Sequence, residues 1–256
     1  MLTFVGLGLY DERSITVEGR DAVGTADRVF AECYTSRLAG ATLADLESFH
    51  GVDIEVRDRD GVEGDPSPIL DAAESGEVVF LTGGDPMAAT THVDLRLRAH
   101  DRGLDTRIVH GTSASTAAPG LTGLQNYRFG KATSLPFPRG EGAAVPTSVV
   151  ETIEANRERD LHTLVYLDIE AEHEAFMTAD EAANLLSEPL DDPLGVAIAR
   201  AGSRRPVVDA DRLSALAGRD FGGPLHLLVV PGDLHHVEAE ALRAFAGAPE
   251  DITALD

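Results

Sequence analysis

The sequence predicts an α/β protein of two domains, each built on a mainly parallel sheet. Short apolar segments of strand character alternate with segments of helical periodicity, an order typical of right-handed βαβ units. A stretch rich in Ser, Thr, Ala, Gly and Pro, Thr112–Gly123, interrupts this alternation and is typical of a domain junction. We therefore expect an N-terminal domain over residues 1–112 and a C-terminal domain over residues 113–256, with the junction at 113–124.

In the first half, four apolar segments predict strands and three amphipathic segments predict helices. The predicted strands are Leu2–Gly8, Arg28–Cys33, Glu77–Leu81 and Asp105–Val109. The predicted helices are Ile15–Ala26, Pro66 to about Gly76, and Thr91–His100. Asp65 is expected to cap the second helix, because its carboxylate can accept from the first turn and Pro66 fits the first helical position. Cys33 lies in an apolar strand and is expected to be buried.

In the second half, five segments predict strands and three predict helices. The predicted strands are Lys131–Pro138, Thr163–Ile169, Gly195–Arg200, Pro206–Val208 and Leu225–Val230. The predicted helices are Val145–Arg159, Ala179–Ser187 and Val237–Ala246. Thr178 is the expected N-cap of the second of these helices.

Length and composition exclude several classes of protein. The chain has 256 residues, of which 43% are hydrophobic and 25% charged, so a sizeable core can form. No run of about 18 apolar residues appears, which excludes a membrane-spanning helix. The single cysteine excludes an intrachain disulfide and a multi-cysteine metal site. The first residues carry no basic flank and no cleavage motif, so we expect no signal peptide and a cytoplasmic location.

The charge balance is strongly acidic. There are 21 Lys and Arg residues against 44 Asp and Glu residues, a formal net charge of −23, and Lys131 is the one lysine. Such a surface argues against binding to nucleic acid or to an anionic membrane, since both require cations. It is typical of a protein that works in concentrated salt, where self-repulsion is screened. We expect a halophilic source.

Three glycine-bearing turns follow predicted strands. They are Gly6–Gly8, Gly83–Pro86 and Gly111–Ser113. Because ligands of parallel sheets bind beyond the carboxyl ends of the strands, three such turns on one edge would form a ligand rim.

Two nucleotide-binding patterns are absent from these turns. The dinucleotide fingerprint requires a third glycine three residues after Gly8, and Asp11 stands there. A phosphate-binding Gly-Lys-Ser/Thr loop is excluded because Lys131 does not stand in such a motif. The acidic pair Asp11 and Glu12 favours a ligand with a positive centre over a pyrophosphate.

The other two turns each allow two interpretations. Gly83–Pro86 is either a tight turn in which Asp85 caps the next residues, or a site where Asp85 binds a hydroxyl or ammonium group. Ser113–Thr116 is a helix N-terminus whose hydroxyls and amides could also hold a carboxylate.

No metal site and no catalytic residue can be assigned from the sequence. His226, His235 and His236 lack the spacing of converging ligands. The acidic run with Asp168, Glu170, Glu172, His173 and Glu174 is interpreted as a solvated loop of an acidic protein. No Gly-x-Ser-x-Gly elbow is present, and no general base can be named.

The chain resembles the tetrapyrrole-methylase superfamily of S-adenosylmethionine-dependent methyltransferases. Val5–Tyr10 followed by Ser14–Thr16 resembles the opening of these proteins, and Gly83–Met87 resembles their methionine-binding turn. Within the superfamily, the chain is most similar to the branch that acts in diphthamide synthesis. That narrower similarity lies in Gly111–Ser115, Gly123–Lys131, Leu225–Gly232, Leu234–His235 and Val237–Glu240.

The resemblance implies a two-domain α/β homodimer that binds S-adenosylmethionine in a cleft between its domains. The implied cofactor contacts are Leu9, Asp85, Ala88, Ser113, Ala114, Leu167, Ala201 and His226. The implied reaction is repeated N-methylation, with three methyl groups, of the amine on the aminocarboxypropyl-modified histidine of translation elongation factor 2.

Three alternatives remain open at this point. A sister methyltransferase of the same fold could act on a tetrapyrrole precursor or on ribosomal RNA. A nicotinamide-dependent dehydrogenase is disfavoured by Asp11, and a non-enzymatic interaction module is disfavoured by the glycine turns and by the absence of internal repeats.

The net charge of −23 predicts stability that depends on salt. Lowering the salt from about 1 M to about 0.1 M lengthens the Debye length from roughly 3 Å to roughly 10 Å and exposes the surface to its own repulsion. We expect the melting temperature to fall by several degrees over this dilution, measured by circular dichroism. A melting temperature that is fully retained in low salt would contradict a halophilic adaptation.

Overall fold

The computed structural model describes residues 1–140, 144–170 and 173–253. The chain divides into two compact units, Met1–Ser113 and Ala114–Asp256. Each unit is an α/β structure built around one five-stranded sheet.

The first unit contains a fully parallel sheet with the strand order β3-β2-β4-β1-β5. Its strands are β1 (Leu2–Gly6), β2 (Arg28–Glu32), β3 (Ile54–Arg57), β4 (Val78–Thr82) and β5 (Thr106–Val109). Its α-helices are α1 (Val17–Thr25), α2 (Leu43–His50), α3 (Ser67–Ser75) and α4 (Val93–Asp101). A 3₁₀ turn at Glu12–Ser14 and a π-helical turn at Asp60–Gly64 complete the described elements of this unit.

The core of the first unit lies on both faces of the sheet. All five residues of β1 and of β4 are buried, and apart from Thr3 and Thr82 these strands carry no polar side chain. The register aligns Phe4, Phe80 and Phe30 across β1, β4 and β2. They form one aromatic row, and the Phe4 and Phe80 ring centroids are 5.9 Å apart. Val5 and Leu81, the next residues on their strands, point to the opposite face.

The second unit contains a mixed sheet with the strand order β11-β10-β12-β7-β6. Its strands are β6 (Thr133–Leu135), β7 (Thr163–Leu167), β10 (Leu194–Ala199), β11 (Val207–Arg212) and β12 (His226–Val230), and β8 (Ile169–Glu170) pairs with β9 (Ala175–Phe176) separately. Its α-helices are α5 (Ala114–Thr122), α6 (Thr147–Arg157), α7 (Ala179–Ser187), α8 (Leu213–Leu216) and α9 (His236–Ala246). A 3₁₀ turn covers Asn126–Arg128.

The expectation of two mainly parallel sheets is confirmed for the first unit and wrong for the second. In the second sheet only β6 and β7 run parallel, whereas β7, β12, β10 and β11 pair antiparallel in turn. An apolar run has the same composition in either direction, so the pattern of residues did not reveal the orientation of these strands.

Two local expectations need correction, and a third is confirmed. The helix predicted from Pro66 begins at Ser67, although the Asp65 carboxylate still accepts from the Ser67 N–H at 3.1 Å. Cys33 is exposed, because β2 ends one residue earlier. The Thr178 cap of α7 is confirmed as a capping box with Glu181.

A buried ionic network lies at one end of the second sheet. The Glu238 side chain is fully buried and accepts from the backbone N–H groups of Gln125 and His235, each at 2.8 Å. The Arg128 guanidinium donates to Oε2, and His162 Nε2 donates to Oε1 at 3.0 Å. Burial raises the pKa of the Glu238 carboxyl, but the backbone donors and His162 outweigh burial and hold the pKa below its usual value. Glu238 is therefore an ionised, fully partnered carboxylate.

Replacing this carboxylate should destabilise the second unit strongly. In Glu238→Gln the amide places a donor against existing donors and leaves the Arg128 charge without its partner. We expect the free energy of unfolding to fall by about 3 kcal/mol, measured by urea unfolding in molar salt. Glu240→Gln, an exposed position on the same helix, is the matched control and should change it by less than about 0.5 kcal/mol. Equal effects of the two changes would contradict this role for Glu238.

Candidate functional site

Three turns meet at the carboxyl edge of the first sheet, because they leave the neighbouring strands β1, β4 and β5. The Gly84 N–H donates to the Gly8 carbonyl at 2.8 Å, and the Gly8 N–H donates back to the Gly84 carbonyl at 3.1 Å. A β-carbon at Gly6 would lie 2.5 Å from the Gly84 carbonyl oxygen, and one at Gly111 would lie 2.3 Å from it. Glycine is thus required for the three backbones to approach one another. The three turns therefore lie on one edge of the sheet, as the sequence predicts.

Asp85 connects two of these turns. Its side chain is 11% exposed, and its Oδ1 accepts from the Met87 N–H at 2.9 Å. Its Oδ2 accepts from the Gly111 N–H at 3.2 Å and lies 2.7 Å from His110 Nδ1. A carboxylate has about four acceptor positions, and these contacts engage three of them. Asp85 therefore both caps its own turn and retains capacity for a ligand, so the two interpretations of this turn are compatible.

The other predicted residues of the first unit also lie on these turns. Leu9 is half-buried, and its carbonyl accepts from the Ser14 hydroxyl and from the Asp11 N–H. Ala88 donates its N–H to the Asp85 carbonyl at 3.2 Å. Ser113 is buried after β5. The fold thus brings Leu9, Asp85, Ala88 and Ser113 to one edge, and Ala114, the next residue along the chain, begins α5 in the second unit.

His92 anchors the turn that carries Asp85, and sequence reasoning missed it. Its buried imidazole Nδ1 lies 3.2 Å from the Pro86 carbonyl oxygen, so Nδ1–H donates to that oxygen. The ring packs edge-on against Phe80, with the centroids 5.1 Å apart. Burial lowers the pKa of His92, which keeps the imidazole neutral. No sequence signal could have found this role, because its partners are a carbonyl group and an aromatic ring brought near by folding.

The predicted residues Leu167, Ala201 and His226 lie at one end of the second sheet. Leu167 ends β7, Ala201 follows the end of β10, and His226 begins β12, which runs antiparallel to both strands. Leu167 is part of the hydrophobic core, and Ala201 packs against a second apolar cluster. The register therefore brings these three residues together.

His226 uses both of its ring nitrogens within the protein. Nδ1 accepts from the Ala179 N–H at 3.0 Å, at the start of α7, and Nε2 donates to the Gly223 carbonyl at 3.0 Å. Burial lowers the pKa of His226, which agrees with a neutral ring. Both ring nitrogens of His226 are thus engaged by the backbone of its own unit.

Several of the residues weighed as metal ligands have structural partners. Asp168 accepts from the backbone N–H groups of Phe137 and Ile169, and His235 caps α9. Glu172 lies outside the described residues. Across residues 1–140, 144–170 and 173–253, no group of three or more His, Cys, Asp or Glu side chains could hold a metal ion. In the same ranges, no helix has the length and apolarity needed to cross a membrane.

Comparison with known proteins identifies the family. The model of the tetrapyrrole (corrin/porphyrin) methylases matches residues 1–216. The diphthine synthase of Halorubrum lacusprofundi is 64% identical to this chain, with 98% of this chain and 99% of the relative covered. The diphthine synthase of Natronomonas pharaonis is 67% identical, with 98% and 97% covered. A crystal structure of diphthine synthase superposes with a TM-score of 0.90 at 43% identity, with 98% of both chains covered.

These relatives span nearly the whole chain, and those from Halorubrum and Natronomonas are from halophilic archaea, which fits the acidic composition. The two-unit α/β fold with a parallel first sheet and a mixed second sheet is the fold of this family. The chain belongs to the tetrapyrrole (corrin/porphyrin) methylases and, within them, to the diphthine synthase family.

Proposed function

We propose that this protein is an S-adenosylmethionine-dependent methyltransferase of diphthamide biosynthesis. Its substrate is the aminocarboxypropyl-modified histidine of translation elongation factor 2, and three methyl groups are added to the amine. The observation that carries the proposal is the 64% and 67% identity to diphthine synthases over 98% of the chain. The resemblance also supports a homodimer and a cytoplasmic location, which belong to the same proposal.

The polar groups of the first unit fit S-adenosylmethionine. Asp85 offers a largely buried carboxylate with an acceptor position to spare, which suits an ammonium or hydroxyl group of a cationic ligand. The glycine turns place backbone groups where a ligand can approach closely. We assign its contacts to Leu9, Asp85, Ala88, Ser113 and Ala114. Further contacts are assigned to Leu167, Ala201 and His226 of the second unit.

The bound cofactor supplies an electrophilic methyl group on a positively charged sulfur. The protein orients the bound cofactor. The turns and Asp85 hold it so that the attacking amine, the methyl carbon and the sulfur can lie in line. Because charge on the sulfur is dispersed as the methyl group leaves, exclusion of water from the site favours the transfer. The amine must lose its proton before it attacks.

The alternatives considered above are less well supported. A sister enzyme acting on a tetrapyrrole precursor or on ribosomal RNA shares the family, but the relatives that match over the full chain carry the name diphthine synthase. Neither the dehydrogenase nor the non-enzymatic module agrees with membership of a methylase family.

A methyl-transfer assay in molar salt tests the proposal. It combines the protein, labelled S-adenosylmethionine and elongation factor 2 that carries the aminocarboxypropyl-histidine precursor, and mass spectrometry locates the label. Label on that side chain, with the methyl groups counted from the mass, is the expected result. Cofactor binding without any transfer to this substrate would refute the proposed substrate and favour a sister methyltransferase.

Removing the Asp85 carboxylate should weaken cofactor binding. In Asp85→Ala a charged acceptor is lost, and we expect the cofactor Kd to rise by roughly 10- to 100-fold, measured by calorimetry. Circular dichroism should show that the fold is retained, since the strands and core do not depend on this side chain. Asp21→Ala, at an exposed position on α1, is the control and should leave the Kd unchanged. An unchanged Kd in Asp85→Ala would count against the assignment of Asp85.

A further inference from the structure

His110 is the first residue after β5, and its imidazole lies at the rim of the candidate site. Its Nδ1 is 2.7 Å from Asp85 Oδ2, and its side chain is 71% exposed. The buried imidazoles of His92, His162 and His226 serve the interior of the protein, through carbonyl, carboxylate or backbone N–H partners. His110 differs from them because it is solvent-accessible and lies beside the carboxylate of the site.

The contact with Asp85 fixes the tautomer of His110. An ionised carboxylate can only accept hydrogen bonds, so Nδ1 must carry the hydrogen that it donates to Oδ2. In the neutral ring Nε2 then bears the lone pair, and it can accept a proton. An aspartate that orients a histidine through Nδ1–H, with Nε2 as the base, is an arrangement that enzymes use for proton transfer.

The proposed reaction requires such a group. The α-amino group of a peptide chain has a pKa of about 7.7 to 8.0. The free carboxylate beside the substrate amine favours the ammonium further, so most of the amine is protonated near neutral pH. An ammonium has no lone pair and cannot attack a methyl group. Converting a primary ammonium into a trimethylammonium releases three protons, one for each methyl group transferred.

We propose that His110 Nε2 accepts the proton that the substrate ammonium loses before each methyl transfer. The N–H bond of the ammonium breaks, its electron pair stays on nitrogen, and the proton forms an N–H bond on Nε2. Asp85 stabilises the resulting imidazolium through Nδ1–H, and the exposed ring then returns the proton to water. The inference rests on the proposed function, and it gives Asp85 a second role as the residue that positions His110.

Two charged groups near His110 are considered within the described part of the first unit. Asp85, from the turn after β4, is the charged group in contact with its ring. Arg107, on the same strand as His110, is paired with Glu18 of α1. Asp85 is therefore the carboxylate that orients the ring through Nδ1.

The decisive variant is His110→Asn. An asparagine amide can place an N–H near the position of Nδ1 and keep the hydrogen bond to Asp85, but it has no basic nitrogen. We expect the rate of methyl transfer at saturating cofactor and pH 7 to fall by about 100-fold. The difference in rate from the unmodified protein should shrink as the pH rises toward 9, because a growing fraction of the substrate amine is then neutral without a protein base. The cofactor Kd should stay within a few-fold of its original value.

His110→Gln and His110→Ala repeat the test without the retained hydrogen bond, and added imidazole should partly restore the rate of the alanine variant. His100→Gln, an exposed histidine on α4, is the matched control and should keep the full rate. A rate of His110→Asn within twofold of the unmodified protein at every pH would overturn the proposal. A loss that is equal at every pH, with weakened cofactor binding, would also overturn it and would assign His110 a purely positioning role.

These outcomes are distinct from failure of the proposed function. If the unmodified protein methylates the elongation factor and His110→Asn does so equally well, the inference about His110 is wrong and the function stands. If the unmodified protein does not methylate this substrate at any pH, the proposed function is wrong, and the proposed role of His110 is wrong as well.

Discussion

The close approach of three backbone turns is the constraint on which the candidate site depends. A β-carbon on Gly6 or Gly111 would come within 2.5 Å of the Gly84 carbonyl oxygen, so these turns can meet only where side chains are absent. Asp85 then joins two of the turns by accepting from the Gly111 N–H. The candidate site is therefore positioned by backbone packing and one short carboxylate rather than by long side chains. A site built in this way is organised before a ligand arrives, which is what an in-line transfer requires.

Histidines in this protein divide by the way their ring nitrogens are used. His226 accepts from a backbone N–H and donates to a carbonyl, and His162 accepts from a backbone N–H and donates to Glu238. Burial lowers the pKa of both rings, which agrees with neutral imidazoles that link neighbouring elements by hydrogen bonds. His110 has its Nδ1 beside a carboxylate and stands in solvent. The same residue type thus supplies rigidity inside the protein and a candidate proton acceptor at the rim, and the partner of Nδ1 decides which role is available.

The sequence predicts the first unit better than the second for a physical reason. β1 and β4 are buried on both faces, so their apolar runs are continuous, whereas the edge strand β3 exposes two of its four residues and left no signal. In the second sheet the pattern of residues located the strands but not their directions, which depend on the connections between them. The position of Asp85 on this edge was predictable because a carboxylate follows a strand and a glycine turn. The contacts of His92 and His110 were not, because His92 meets a carbonyl group and an aromatic ring that no motif marks, and His110 meets a carboxylate 25 residues away.

High salt imposes a further condition on how such a site can work. With 44 acidic and 21 basic residues, many carboxylates have no cationic partner, and in dilute buffer their combined field would extend well beyond the surface. At about 1 M salt the Debye length is roughly 3 Å, so long-range steering of a substrate is suppressed. The 2.7 Å contact between His110 and Asp85 is shorter than that length, so it survives the screening. At the proposed site, binding in molar salt would therefore depend on direct contacts with groups such as the glycine turns, Asp85 and His110.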